Sequence, residues 1–213
     1  MMKKNRTTLI LTSILILLPM LIGILLWNQL PEIMATHFGV NGQADGYSSK
    51  TLTVFGLPLF LLILQWICAF ATSHDPKQKN ISPKVFTFIL WIIPVISIVV
   101  NSLVYLVNLG KAVDVSFVVL ILLGMVFIFT GNYLPKSRRN YTVGIKTPWT
   151  LENDVVWNKT NRLGGYLFMG IGFLTILTAF VHWIPMELFF VGIILAAFIP
   201  MIYSFILYNK ENH

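Results

Sequence analysis

The chain is built of long apolar segments separated by short polar ones. Six windows of about the length needed to cross a bilayer core contain no Asp, Glu, Lys or Arg. They run over residues 9–27, 51–71, 85–108, 115–131, 163–181 and 188–208. Strands of a membrane barrel would be about ten residues long with alternating polarity, so these windows indicate helices. The pattern predicts an all-α, polytopic integral membrane protein with six transmembrane helices.

Composition excludes the main alternatives to a membrane protein. Only 11% of the residues are charged, 56% are hydrophobic, and the mean hydropathy is +0.78. A soluble domain carries about 25% charged residues to cover its surface, so a soluble globular protein is excluded. The single cysteine, Cys68, cannot form an intrachain disulfide, and a Cys-rich zinc or iron–sulfur centre is excluded with it.

The positions of the basic residues predict the orientation. If the N-terminus is inside, all 15 Lys and Arg residues except Lys50 and Lys111 lie in cytoplasmic segments. Cytoplasmic loops are the ones enriched in Lys and Arg, so the chain is predicted to have both termini inside. This distribution also explains the net charge of +7 without a nucleic-acid partner.

Two long polar loops divide the chain. The first, residues 28–50, is predicted outside and is called the cap. It belongs to an N-terminal two-helix region, residues 1–71. Residues 72–114 hold the third helix and its flanking loops. Residues 115–213 contain the second loop, residues 132–162, which is predicted inside and is called the basic loop.

The cap carries two turn signals, Asn41-Gly42 and Asp45-Gly46, which predict a compact folded loop that contacts something outside the cell. His37, Glu32 and Asp45 follow no metal-ligand spacing, so no metal site is predicted. We expect His37 to hydrogen-bond the backbone within the turn. The candidate residues of the cap are His37, Gly42, Asp45 and Gly46.

The basic loop can be interpreted in two ways. Six cations, two acids and interleaved aromatic residues are typical of a segment in the headgroup layer, with Val155, Val156 and Trp157 facing lipid and Lys159 and Arg162 facing phosphates. The run 144–151, with its Gly, Pro and two Thr, favours instead a specific backbone shape that fixes Trp149 and Arg162 in a partner-binding site.

Both loops resemble known families. The cap resembles an N-terminal domain of unknown function, through Leu30-Pro31, Thr36-His37-Phe38, Gly42, Asp45-Gly46 and Lys50. The second region is similar to the SdpI family, the immunity proteins for the sporulation-delaying peptide toxin. The matching residues are Gly131-Asn132-Tyr133, Asn140, Gly144-Ile145, Thr147-Pro148-Trp149-Thr150-Leu151, Val156-Trp157, Thr160, Arg162 and Gly164. Lys146 stands where that family usually has Arg, and Asn161 where it usually has His.

The resemblance implies a multi-pass protein of the bacterial plasma membrane that protects its own cell against a membrane-active peptide toxin. It further implies signalling by holding a cytoplasmic repressor at the membrane. The partners would be the lipid bilayer, an extracellular peptide toxin and that repressor, with no direct nucleic-acid binding and no cofactor. The partner-binding residues would be Asn132, Asn140, Gly144, Lys146, Thr147, Pro148, Trp149, Thr150, Trp157 and Arg162.

The competing interpretation is a membrane permease or a membrane-embedded enzyme. The sequence offers no paired carboxylates, no nucleophile beside a base and no metal cluster, and His37, Glu152 and Asp154 alone do not make a site. We therefore assign no catalytic residue and predict that the chain is not an enzyme. Topology does not separate the two interpretations.

The orientation is testable with reporter fusions. Fusions at Gln43 should report the outside, and fusions near Gln78, Ser137 and the C-terminus should report the inside, because the cations lie on that side. A cytoplasmic signal at Gln43 would overturn the orientation.

Overall fold

The computed structural model describes residues 1–39, 42–181 and 186–211. Within them, six helices are long and apolar enough to cross a membrane, which confirms the prediction of six spans. The spanning helices are α1 (Arg6–Leu25), α2 (Leu57–Ser73), α3 (Pro83–Asn108), α4 (Val115–Tyr133), α6 (Asp154–Phe180) and α7 (Met186–Glu211). A short helix, α5 (Pro148–Glu152), lies in the basic loop.

The structure departs from the all-α prediction in the cap. Residues of the cap form an antiparallel hairpin of β1 (Ile33–Phe38) and β2 (Ala44–Ser49). The pairing is regular from Ile33 opposite Ser49 to Ala35 opposite Tyr47 and becomes irregular at His37. The chain is therefore mostly helical with one small two-stranded sheet.

Helix α6 begins earlier than the apolar pattern predicts. The charge-free window starts at residue 163, whereas the helix starts at Asp154. The Asn153 side chain accepts hydrogen bonds from the backbone N–H groups of Val155 and Val156 and caps the helix. The charge-free window begins later than the helix because it leaves out the charged residues of the first helical turns.

The chain forms two compact units. One comprises residues 1–70 and 87–119, and the other comprises residues 71–86 and 120–213. In the first unit, polar bonds join α1 to its neighbours: the Gln65 amide donates to Thr12 Oγ1 at 2.8 Å, and Ser97 Oγ donates to the Ile16 carbonyl at 3.0 Å. An apolar cluster fills the space under the hairpin; its buried members are Leu30, Met34, Val54, Val104 and Tyr105.

In the second unit, glycines let α4 and α6 approach closely. A Cβ at Gly131 would lie 2.6 Å from the Gly165 carbonyl oxygen, and a Cβ at Gly165 would lie 2.7 Å from that of Gly131. Gly124 and Gly172 form an equivalent pair, at 2.8 and 2.6 Å. Small residues in contact are the usual way for membrane helices to bring their backbones together. The two glycine pairs hold α4 and α6 close together, and the basic loop connects these two helices.

Candidate functional site: the cap and the basic loop

The hairpin of the cap is bound to the end of α3 by one side chain. The Ala35 N–H donates to Asn108 Oδ1 at 2.8 Å, and Asn108 Nδ2 donates to the Ala35 carbonyl at 3.0 Å. The amide uses its oxygen and one N–H on Ala35, and thus pairs with the β1 backbone as a neighbouring strand would. Met34, fully buried, lies beside this bond. The edge of β1 is therefore held by a helix.

Lys50 fixes the base of the cap. Its side chain is buried, and Nζ donates to the carbonyls of Trp27 at 3.1 Å and Leu30 at 3.0 Å. The ammonium also pairs with Glu32 at 2.8 Å and lies 4.9 Å from the Trp27 ring centroid. A cation is favourable at carbonyl groups that follow a helix C-terminus. Lys50, one of the two cations predicted outside, thus satisfies the backbone after α1.

The candidate residues of the cap lie along the hairpin. His37 Nδ1 is hydrogen-bonded to the Asp45 carboxylate across the two strands, so this ring nitrogen has a side-chain partner rather than the expected backbone partner. Gly42 has φ of +73°, as a turn requires. Asp45 and Gly46 do not form a turn but lie inside β2, where Gly46 is needed because a Cβ would lie 2.8 Å from His37 Cβ. Asn41 lies outside the described residues.

In the basic loop, Asn140 organises the chain that leaves α4. Its fully buried amide donates to Ser137 Oγ at 2.9 Å and to the carbonyls of Arg138 and Val143 at 2.8 and 2.9 Å. Its Oδ1 accepts from the N–H groups of Thr142 at 2.9 Å and Val143 at 2.6 Å. One side chain thus provides hydrogen-bond partners for most of the backbone groups of a turn that has no regular secondary structure.

The backbone of the basic loop packs on the side chain of Trp157. It is fully buried, and its indole N–H donates to the Ser137 carbonyl at 2.7 Å. Gly144, with φ of +132°, crosses the ring so closely that a Cβ would lie 2.7 Å from it. The interpretation that Val156 and Trp157 face lipid is wrong, since both are fully buried and of that group only Val155 is exposed.

Asn161 and a pair of threonines hydrogen-bond the backbone between Gly144 and the start of α5. Asn161 Oδ1 accepts from the Ile145 N–H at 2.8 Å, and Nδ2 donates to the Trp157 carbonyl at 3.0 Å. Thr147 and Thr150 cap α5 reciprocally, each side chain accepting from the other's backbone N–H. Pro148 occupies the first position of the helix, where its missing N–H costs nothing.

The basic loop and the start of α6 contact one face of α7. Ser204, Tyr208 and Glu211 follow one another at helical spacing and contact Thr147 at 3.0 Å, Glu152 at 2.7 Å and Lys159 at 3.0 Å, respectively. The Trp149 ring lies 5.0 Å from the Phe205 ring, centroid to centroid. The loop therefore ties the first turns of α6 to the last turns of α7.

Two residues that sequence reasoning missed complete the loop. The Arg139 guanidinium donates to the carbonyls of Leu151 and Glu152 at 3.1 and 2.6 Å and pairs with Asp154 at 2.7 Å, joining the end of α5 to the start of α6. Asp75, buried in the connection between α2 and α3, accepts from the Tyr141 N–H at 2.8 Å and from Thr142 Oγ1. The turn signal Asp75-Pro76 is the only local pattern that points to it.

The predicted partner-binding residues divide by exposure. Asn140, Thr147, Thr150 and Trp157 are buried and bonded within the loop, whereas Asn132, Lys146, Pro148 and Arg162 are exposed. The expectation that the 144–151 backbone fixes Arg162 is wrong. In the described structure the Arg162 guanidinium contacts Tyr166 on its own helix, 5.9 Å from the ring centroid. The described residues contain no group of three His, Cys, Asp or Glu able to hold a metal.

Comparison with known proteins confirms both resemblances. Residues 136–204 match the SdpI/YfhL protein family, and residues 14–62 match a domain of unknown function, DUF1648. The chain is 29% identical to the "Immunity protein SdpI" of Bacillus subtilis (strain 168) over 213 residues, which cover 99% of each chain. No solved structure matches. With its six spanning helices, the chain is a multi-pass protein of the bacterial plasma membrane.

The glycine of the cap turn can be tested against a matched position. Gly42 and Gly110 both have positive φ, but a Cβ meets Ser116 Oγ at 2.9 Å only at Gly42, while it meets nothing within 4 Å at Gly110. Both valine variants should lose about 1 kcal/mol to backbone strain, and Gly42→Val about 1 kcal/mol more from the clash. Denaturant unfolding of the purified proteins measures the difference; equal losses would show that the turn has room.

The role of Asn140 can be separated from that of an exposed asparagine in the same loop. Asn140→Ala leaves several buried backbone groups unbonded and should lower the free energy of unfolding by about 3 kcal/mol. Asn132→Ala removes one exposed bond, from Lys136 at 2.8 Å, and should cost less than about 0.5 kcal/mol. Unfolding of both proteins in detergent provides the measurement. Similar small losses would mean that Asn140 does not organise the loop.

Proposed function

We propose that this chain is a membrane immunity protein that protects its own cell against a membrane-active peptide toxin. The observation that carries the proposal is the similarity to the immunity protein of Bacillus subtilis over 99% of both chains. The similarity extends over the cap, the basic loop and the spanning helices rather than over one region. In this proposal the chain acts by binding and not by catalysis.

The cap is the part that meets the toxin. With the N-terminus inside, as the distribution of Lys and Arg favours, the cap faces the outside. Its hairpin is anchored by Asn108 and Lys50, yet Ile33 and Tyr47 are 69% and 62% exposed. Large apolar side chains displayed on a rigid element suit contact with an amphipathic peptide, because little conformational entropy is lost on binding.

The basic loop serves two purposes in this proposal. Its buried side chains hold α6 and α7 together, so they are needed for any activity. Three of its exposed residues, Asn132, Pro148 and Arg162, form the surface that a cytoplasmic repressor would contact. Arg162 is suited to this role because it is exposed and its guanidinium presents a planar array of donors to a carboxylate. Signalling would follow from holding the repressor at the membrane.

Protection can be measured directly. The chain, expressed in a Bacillus subtilis strain that lacks its own SdpI, should raise survival at least about tenfold over the empty vector during exposure to the sporulation-delaying peptide toxin. Trp149→Ala removes the ring packed on Phe205 and should abolish most of this protection at an equal membrane level. Survival equal to that of the empty vector, with the protein present in the membrane, would refute the immunity proposal.

Arg162→Lys is the matched variant for the signalling part of the same experiment. It keeps the charge and disturbs no bond of the loop backbone, so protection should remain, while output from a repressor-controlled reporter should change if the guanidinium binds the repressor. Unchanged reporter output together with full protection would remove Arg162 from the signalling surface.

A further inference from the structure

Three residues meet at an exposed corner of the second unit. Lys77 comes from the connection between α2 and α3, and Tyr141 and Lys146 come from the basic loop. The Lys77 ammonium lies 5.4 Å from the Tyr141 ring centroid. The Lys146 ammonium donates to the carbonyls of Tyr141 and Thr142, both at 3.2 Å. Two cations therefore stand beside one tyrosine, which is 47% exposed.

The corner is fixed from beneath by Asp75. One carboxylate oxygen accepts from the Lys77 N–H at 2.7 Å, and the other accepts from the Tyr141 N–H at 2.8 Å. The same buried side chain thus sets the backbone of Lys77 and that of Tyr141. Because the two segments are joined at this point, the fold holds the Lys77 and Tyr141 backbones next to each other.

Neither ammonium group of the corner forms an ion pair with a carboxylate of the described residues. The ion pairs found among the described residues are His37–Asp45, Lys50–Glu32, Arg139–Asp154 and Lys159–Glu211, and neither Lys77 nor Lys146 takes part in them. Both oxygens of Asp75 are already occupied by N–H and O–H donors. The Lys146 ammonium has three N–H groups and uses two of them on carbonyls, so one remains to bind an anion. The N–H groups of the Lys77 ammonium also remain to bind an anion.

We propose that Lys77, Tyr141 and Lys146 form a binding site for the phosphate of an anionic glycerophospholipid. The corner lies where spanning helices end, since Ser73 closes α2 two residues before Asp75 and Tyr133 closes α4 before the loop. Lysine and tyrosine are the residues that meet headgroups at such a level. The two ammonium groups contact the phosphate, and the amphipathic ring packs against the glycerol.

Binding is measured by native mass spectrometry of the full-length protein in detergent, with dioleoyl phosphatidylglycerol as the probe and dioleoyl phosphatidylcholine as the neutral comparison. Lys77→Gln and Lys146→Gln should each weaken binding of phosphatidylglycerol about fivefold. Tyr141→Leu should weaken it, and Tyr141→Phe, which keeps the ring, should retain it. Thermal unfolding in phosphatidylcholine identifies any variant whose fold is lost.

The control is Lys84→Gln, which removes the same charge from an exposed lysine of the same unit and should leave binding unchanged. An equal loss in Lys84→Gln would replace the site by diffuse attraction between charges. Displacement of the lipid by an equimolar amount of inorganic phosphate would show a phosphate site with no preference for lipid. Either result, or equal binding of the two lipids by the unmodified protein, would overturn the proposal.

Discussion

A stretch of chain with little regular secondary structure joins α4 to α5, and its backbone N–H and C=O groups need partners beside a membrane. An unbonded polar group costs about 1–3 kcal/mol when buried. The buried amides of Asn140 and Asn161 and the indole of Trp157 supply those partners. The start of α5, the first turns of α6 and the docking of α7 follow from the path these three side chains impose.

The cap solves the same problem with different residues. The Asn108 amide takes the place of a third strand beside Ala35, and the Lys50 ammonium binds the carbonyls that follow α1. In the cap, and at Asn161 in the basic loop, a side chain distant in sequence completes the hydrogen bonding of the backbone. Each region is thereby tied to a spanning helix, the cap to α3 through Asn108 and the basic loop to α6 through Asn161.

The sequence predicts the helices better than the loops for a physical reason. A spanning helix needs only a run of apolar residues, which is local information, whereas the loops depend on contacts between distant residues. The sequence therefore predicts the six spans correctly. It predicts that Trp157 faces lipid, whereas Gly144 and Ser137 cover its ring in the structure. Gly131 and Gly165 carry no local signal either, because their role exists only where two helices touch. The family resemblance singles out Arg162. It is Arg139, another arginine of the basic loop, that bonds the Glu152 carbonyl and pairs with Asp154.

The departure at Asn161 clarifies what this position requires. Its Oδ1 accepts from the Ile145 N–H and its Nδ2 donates to the Trp157 carbonyl, so the backbone needs one acceptor and one donor. Neutral histidine, the residue that the resemblance leads one to expect here, also offers one acceptor and one donor. Asparagine keeps both bonds without a group that titrates near neutral pH. In this chain the position supplies a bonding pattern without a group for proton transfer, so it serves the shape of the loop.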